Sequence, residues 1–358
     1  MNHNMTFLQR QIEQHWQEPR LPLSILLYPF SRLFQFAVWL RRILYASGCL
    51  KSVRLPVSVV VVGNIQVGGV GKTPITAALV SALQEAGIKT GVISRGYGRQ
   101  GRGVAVVNAQ HTAAEVGDEP LMLYRQTAVP LAVGADRAAA AAALLRANPE
   151  IRLLISDDGL QHYALARDFE IAVFPAADVG RYLDILPNGA LREPPSRLRS
   201  VDAVLVSLGD ADTAQQLRTQ YRLPENTIIG SSSIDVGMLY QLNQPQHTAK
   251  PTDFIGKRIA AVAAIARPQR FFNSLRQLGM VLNECKALPD HAALNTDDFP
   301  AADVVIITEK DAVKCRGNDL NHVWVLPIRA VLAHDWQAAV LSRLMALAET
   351  ATIRKNHH

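Results

Sequence analysis

Residues Val57 to Thr73 read VSVVVVGNIQVGGVGKT. Valines and a single serine lead up to Gly63, a short apolar run of the kind buried on both faces in the middle of a parallel sheet. A glycine-rich turn follows, then Lys72-Thr73, then a helical pattern from Pro74 to Ala86. Strand, glycine turn, Gly-Lys-Thr and helix form the context that a phosphate-binding loop requires. The candidate cradle is Gln66, Val67, Gly68, Gly69, Val70, Gly71, Lys72 and Thr73. Its backbone N–H groups would face phosphate oxygens, and the helix N-terminus adds a favourable partial charge. Lys72 would reach the β- and γ-phosphates, and the Thr73 hydroxyl would help to hold Mg²⁺.

The loop departs from the strict pattern: the position five before Gly71 is Gln66, and Gly63, Gly68 and Gly69 surround the turn instead. The deviant loops of partition-type ATPases also read GGVGKT, but they carry a signature lysine where this chain has Val67. The structural alternative is a glycine-rich βα turn without a ligand.

The chain has 358 residues, 49% of them hydrophobic and 19% charged, which suits a folded α/β protein of two domains. A formal net charge of +6 and a pI near 9.3 fit an acidic partner such as nucleotide phosphates or phospholipid headgroups. The basic residues lie in glycine and proline loops, not in one stripe, so nucleic acid is not an expected partner. Cys49, Cys285 and Cys315 have no metal-ligand spacing and imply no disulfide framework.

Residues 21–45, LPLSILLYPFSRLFQFAVWLRRILY, are dense in large apolar and aromatic side chains. Pro22 and Pro29 interrupt the run, and Arg32, Gln35, Arg41 and Arg42 break any stretch that would span a bilayer. A helix from Phe30 to Tyr45, basic on one side, reads as lying in the membrane interface. The competing reading is a core helix packed on the globular body.

Further strands are expected at 89–94, 129–133, 151–156, 170–174 and 202–207, with helices at 121–126 and 137–146. The strand at 151–156 ends in Asp157-Asp158-Gly159-Leu160-Gln161-His162. An apolar strand ending in aspartate is the Walker B arrangement, which makes Asp157 and Asp158 candidate Mg²⁺ ligands beside Thr73. Asp118 and Glu119 begin a helix, where capping competes with function. The loop 187–197 is basic and rich in proline, and Arg95-Gly96-Tyr97-Gly98-Arg99 follows a strand at a crevice position. Residues 209–257 are polar and weakly patterned, and a second α/β set follows. The expected division is 1–48 as a membrane-interface segment, 49–222 as a P-loop domain and 223–358 as a second, smaller α/β domain.

The ordered blocks resemble the tetraacyldisaccharide 4′-kinase family of lipid A biosynthesis. They are Gly63-Asn64 with Gly68 to Pro74, Ser94 to Gly98, Val116 to Pro120, Asp157 to His162, Leu186 to Glu193, Pro289-Asp290-His291 and Thr308 to Lys314. The resemblance implies two α/β/α domains with ATP and Mg²⁺ in the cleft between them. It implies transfer of the γ-phosphoryl to the 4′-hydroxyl of an acylated glucosamine disaccharide 1-phosphate. It also implies a peripheral enzyme on the cytoplasmic face of a Gram-negative inner membrane. Within that family reading Asp118 is the base and His291 orients it, with Lys72 as the third catalytic group. Arg137, Gln161, His162 and Arg192 fall to the substrate. The rival class is a P-loop nucleotide switch or metal-delivery GTPase that makes no small-molecule product. Such a protein would carry a signature lysine, a guanine-reading motif or a Cys/His cluster, none of which the sequence contains.

Overall fold

A computed structural model describes residues 7–316 and 320–356. Residues 1–6 of the N-terminal segment, and 317–319 and 357–358 of the C-terminal one, lie outside the described residues. The strands are β1 (Ser58–Gly63), β2 (Thr90–Ser94), β3 (Ala105–Val106), β4 (Leu131–Val133), β5 (Leu153–Asp157), β6 (Phe169–Pro175), β7 (Ala203–Ser207) and β8 (Ile228–Val236). They continue with β9 (Leu239–Gln241), β10 (Gln244–Ala249), β11 (Ile259–Ala263), β12 (Leu282–Ala287), β13 (Leu294–Asn295), β14 (Val304–Thr308), β15 (Cys315–Arg316), β16 (Val323–Leu326) and β17 (Ile328–Leu332). The helices are α1 (Phe7–Gln17), α2 (Leu21–Ala46), α3 (Lys72–Glu85), α4 (Ala113–Val116), α5 (Asp118–Thr127), α6 (Arg137–Ala147), α7 (Ala211–Tyr221), α8 (Pro268–Gln277), α9 (Glu309–Ala312) and α10 (His334–Asn356).

The first sheet has nine strands in the order β17-β8-β7-β6-β1-β5-β2-β4-β3. Strands from β8 to β4 run parallel, and β17 and β3 are antiparallel edges. The valines of β1 are buried on both faces, as β-branched side chains between covered layers should be. Their alternation sorts them. Val60 and Val62 join α3 and α10 through Leu79, Leu83, Trp336 and Val340, whereas Val59 and Val61 join α6 and α7 through Leu144 and Leu217. Each such fully buried side chain contributes roughly 1.5–3 kcal/mol of transfer free energy. The second sheet has six strands in the order β10-β9-β16-β14-β11-β12 and its own core around Phe254, Phe272, Ile306 and Trp324.

Sheet membership does not divide at 222/223. β8 pairs with β7, and the chain returns to the first sheet through β17 and α10 after building the second. The reason is in the core: Trp336 is buried against Gly230 and donates its indole N–H to the Val204 carbonyl at 3.1 Å.

α2 is one helix through both prolines. Pro22 sits in the first turn, where its missing N–H has no partner to lose, and Pro29 removes one internal bond without ending the helix. Ser31 is fully buried; its hydroxyl donates to the Ile185 carbonyl at 3.1 Å and accepts from the Asn188 amide at 2.9 Å. Arg32 pairs with Asp184. The opposite side is bare: Leu21, Ile25, Leu33, Phe36 and Trp39 are all more than half exposed. By length and composition the helix could cross a membrane, and little of it is buried against the body.

Candidate active site

The turn after β1 is shaped by Gly68 and Gly71, both in the left-handed region at φ +102° and +81°. Gly71 caps α3, so Lys72 and Thr73 open the helix and bring its amide ends to the turn. Lys72 Nζ donates to Asn64 Oδ1 at 3.0 Å and lies 3.3 Å from Asp158 Oδ1. Asn64 is fully buried, and its amide donates to the Gln66 carbonyl at 2.9 Å. The first two residues of the expected cradle are engaged elsewhere. The Val67 amide donates to the Ala190 carbonyl at 2.8 Å, and Gln66 gives its side-chain amide to Asp178 at 3.1 Å.

Asp157 ends β5, and Asp158 turns the chain at φ +48°. Arg137 is buried beneath that turn, its guanidinium donating to the carbonyls of both aspartates at 3.1 Å. Burial first, then the charges of Glu119 and Asp158, push the Asp157 carboxyl up to about 6, and Thr76 holds it through a 2.9 Å hydrogen bond. Burial pushes Asp158 the same way, but Lys72 and Arg192 outweigh it and hold its carboxyl low. Asp158 Oδ1 has ion-pair contacts at 3.3 Å to Lys72 and 3.7 Å to Arg192, yet it accepts no hydrogen bond.

Asp118 begins α5 and is buried. His291, in the loop after β12, places Nδ1 2.8 Å from Asp118 Oδ2. Burial alone would raise the Asp118 carboxyl, but the His291 hydrogen bond and the charges of Lys310, His291 and Lys314 prevail and hold it below the usual range. The His291 ring is itself backed by Tyr97, 5.5 Å away between centroids. Glu119, for which capping and function compete in the sequence, bridges the site: its two oxygens reach Thr73 Oγ1 at 3.5 Å and Lys310 Nζ at 3.1 Å. Lys310 opens the short α9 at the end of β14 and also lies 3.4 Å from Asp290. The strand-end position of Glu309-Lys310-Asp311 was the available signal for Lys310; nothing local separates Glu119 from a helix cap.

On the other flank, Gln161 donates to the Asn64 carbonyl at 2.9 Å and to Glu193 at 3.0 Å. His162 is pushed down to about 4 by burial and by the charges of Arg137, Arg167 and Arg41, so it is neutral at physiological pH. Arg192 reaches Asp158. Hence Lys72, Thr73, Asp157, Asp158, Gln161 and Arg192 gather around the turn, with Asp118 and His291 joining them across the cleft between the sheets. Arg137 works beneath the acidic turn.

A model of the tetraacyldisaccharide-1-P 4′-kinase family matches residues 23–345. The chain belongs to the tetraacyldisaccharide 4′-kinase family. The tetraacyldisaccharide 4′-kinase of Neisseria meningitidis serogroup B is 54% identical over 335 residues, 93% of this chain and 95% of that one. That of Chromobacterium violaceum is 43% identical over 341 residues, 94% and 98% of the two chains. Among solved structures, LpxK from Aquifex aeolicus in complex with ATP matches with a TM-score of 0.74 at 26% identity, covering 91% of this chain and 99% of that chain. Membership of this kinase family sets aside the reading as a nucleotide switch or metal-delivery GTPase.

Proposed function

We propose that this kinase transfers the γ-phosphoryl of ATP to the 4′-hydroxyl of an acylated glucosamine disaccharide 1-phosphate, with Asp118 as base. The observation that carries the residue assignment is the Asp118–His291 contact at 2.8 Å, across a cleft whose other wall is the Lys72–Thr73 turn. The alcohol's proton must leave as the new P–O bond forms, and an ionised carboxylate held by an imidazole N–H is placed to take it. His291 is a positioning residue: it comes from the second lobe and fixes the carboxylate's direction.

Amides from Gly68 to Thr73 and the Lys72 ammonium hold the terminal phosphates, Lys72 moving from Asn64 to phosphate oxygen. The acidic oxygens suit Mg²⁺. Glu119 and Asp158 raise the cost of charging Asp157, and Asp158 Oδ1 is short of a donor. No trio of His, Cys, Asp or Glu among the described residues forms a metal cage by itself. That fits an ion bound by one or two carboxylates, the Thr73 hydroxyl and the nucleotide's own phosphates. Bound there, Mg²⁺ neutralises charge on the transferring group. Arg192, Gln161 and neutral His162 face the sugar, and Arg137 keeps the acidic turn in shape. The bare side of α2 rests in the bilayer interface on the cytoplasmic face of the inner membrane, which brings the lipid substrate to the cleft. The second lobe, 239–326, closes over the nucleotide.

The test is transfer of labelled γ-phosphate from ATP to a tetraacyldisaccharide 1-phosphate, with Lys72→Ala as control. Labelled lipid from the unaltered protein and none from the variant is expected; ATP hydrolysis indifferent to the lipid would overturn the reading.

A further inference from the structure

A groove of about 790 Å³ runs between the C-terminal half of α2 and the far end of the first sheet. Arg54 precedes β1, Asp168 precedes β6 and Asp202 precedes β7, so the groove lies at the amino ends of strands whose carboxyl ends carry the phosphate-binding turn. It is therefore separate from the ATP site. α2 supplies Trp39, Arg42 and Tyr45, and the body supplies Tyr163, Arg167 and Arg197.

Most of its basic side chains are already matched: Arg167 pairs with Glu170, Arg197 with Glu170 and Glu193, and Arg54 with Asp168, while Asp202 is a third carboxylate in the lining. Arg42 has no carboxylate partner among the described residues. Tyr163 forms the floor, its ring beneath the Arg167 guanidinium at 4.9 Å and 5.9 Å from the ring of Tyr45. Trp39 lies at the rim, half exposed and continuous with the bare apolar side of α2. Aromatic rings with arginine beside an apolar helix face are the side chains favoured at the headgroup level of a bilayer.

We propose that this groove is a binding site for the phosphate-bearing headgroup of an anionic glycerophospholipid, with Arg42 as its principal ligand. The proposal rests on the reading of α2 as an interfacial helix. A headgroup phosphodiester entering past Trp39 meets the unpaired guanidinium of Arg42, while its first acyl carbons stay against Trp39 and Ile43. A zwitterionic headgroup brings its own cation and gains less.

The experiment titrates the full chain with short-chain phosphatidylglycerol below its micelle concentration and reads the saturable rise in Tm. Phosphatidylcholine of the same chain length and inorganic phosphate are the parallel arms. Saturable binding of phosphatidylglycerol, about tenfold weaker in Arg42→Gln and weak for phosphatidylcholine, is expected, because one charge-assisted hydrogen bond is lost. ATP affinity should not change in that variant. Equal binding by Arg42→Gln, no saturation, or inorganic phosphate binding as tightly as the lipid overturns the assignment. Sedimentation with vesicles separates the underlying reading: if the unaltered protein sediments with none, the interfacial placement of α2 fails, while the soluble-lipid titration still decides the groove.

Discussion

His291 Nδ1 lies 2.8 Å from Asp118 Oδ2, and the two residues come from different lobes. The proposed catalytic pair is thus assembled by the closeness of two sheets, and its two members should fail differently. Asp118→Asn should lower kcat by about 10²- to 10⁴-fold, the usual contribution of a general base, with ATP affinity retained. His291→Ala should cost less, since the carboxylate survives without its guide. The double variant should be no worse than Asp118→Asn alone, because the pair acts as a unit. Steady-state kinetics with an independent ATP-binding measurement checks this; loss of ATP binding in Asp118→Asn would point to a nucleotide-site role instead.

Asp157 makes a second, pH-dependent prediction. Its carboxyl is pushed up to about 6, above its unfolded value, so the folded chain keeps a proton that the unfolded chain has released. That contribution to stability is present at low pH and is lost as pH rises through about 6. Asp157→Asn removes the charge at every pH. Without Mg²⁺ and nucleotide, its Tm should hold between about pH 5 and pH 7.5 where the parent's share from this group declines, and its turnover should collapse. Melting curves across that range decide it.

Asn64 is the resting partner of Lys72 and the tie across the loop to the Gln66 carbonyl. Asn64→Ala leaves a buried carbonyl without a donor and frees the ammonium, which should cost about 1–3 kcal/mol of stability. The KM for ATP should rise several-fold, with a smaller change in kcat. A variant that loses kcat alone would show that Asn64 acts on the reaction and not on the loop's shape.

Little of the apolar side of α2 is buried against the described body. Leu33 is 66% exposed and Phe36 55%. Leu33→Glu with Phe36→Glu should leave the fold and ATP binding intact, because surface changes away from packing usually stay within about 0.5 kcal/mol. Co-sedimentation with anionic vesicles should fall sharply. Unchanged sedimentation would remove the membrane role from this face.

The central strands were readable because their chemistry is uniform: four valines in β1 and an apolar run ending in Asp157 admit few alternatives. β8 was harder. Its sequence IIGSSSIDV is half serine and acid, and its outer half is exposed because only β17 flanks it there. α7 (ADTAQQLRTQY) buries only Ala214 and Leu217, too thin a stripe to stand out from a polar stretch. Lys72, Thr73, Asp157 and Asp158 could be placed from a strand, a turn and spacing alone. Glu119 and Lys310 could not, since they are 191 positions apart and only tertiary packing puts them 3.1 Å from each other. The fate of the Val67 amide depended likewise on a distant loop.

The return of β17 and α10 to the first sheet has a consequence for how this protein is made. A growing chain that has already delivered the P-loop, Asp118 and Asp157 still lacks Trp336, Val340 and Leu344, which cover Val60, Val62 and the inner side of α3. That layer stays wet while roughly the whole second lobe is being synthesised, and greasy surface left open in this way is prone to aggregate. A premature stop before residue 334 would yield a chain with every phosphate-binding residue present and no closed core to hold them in place.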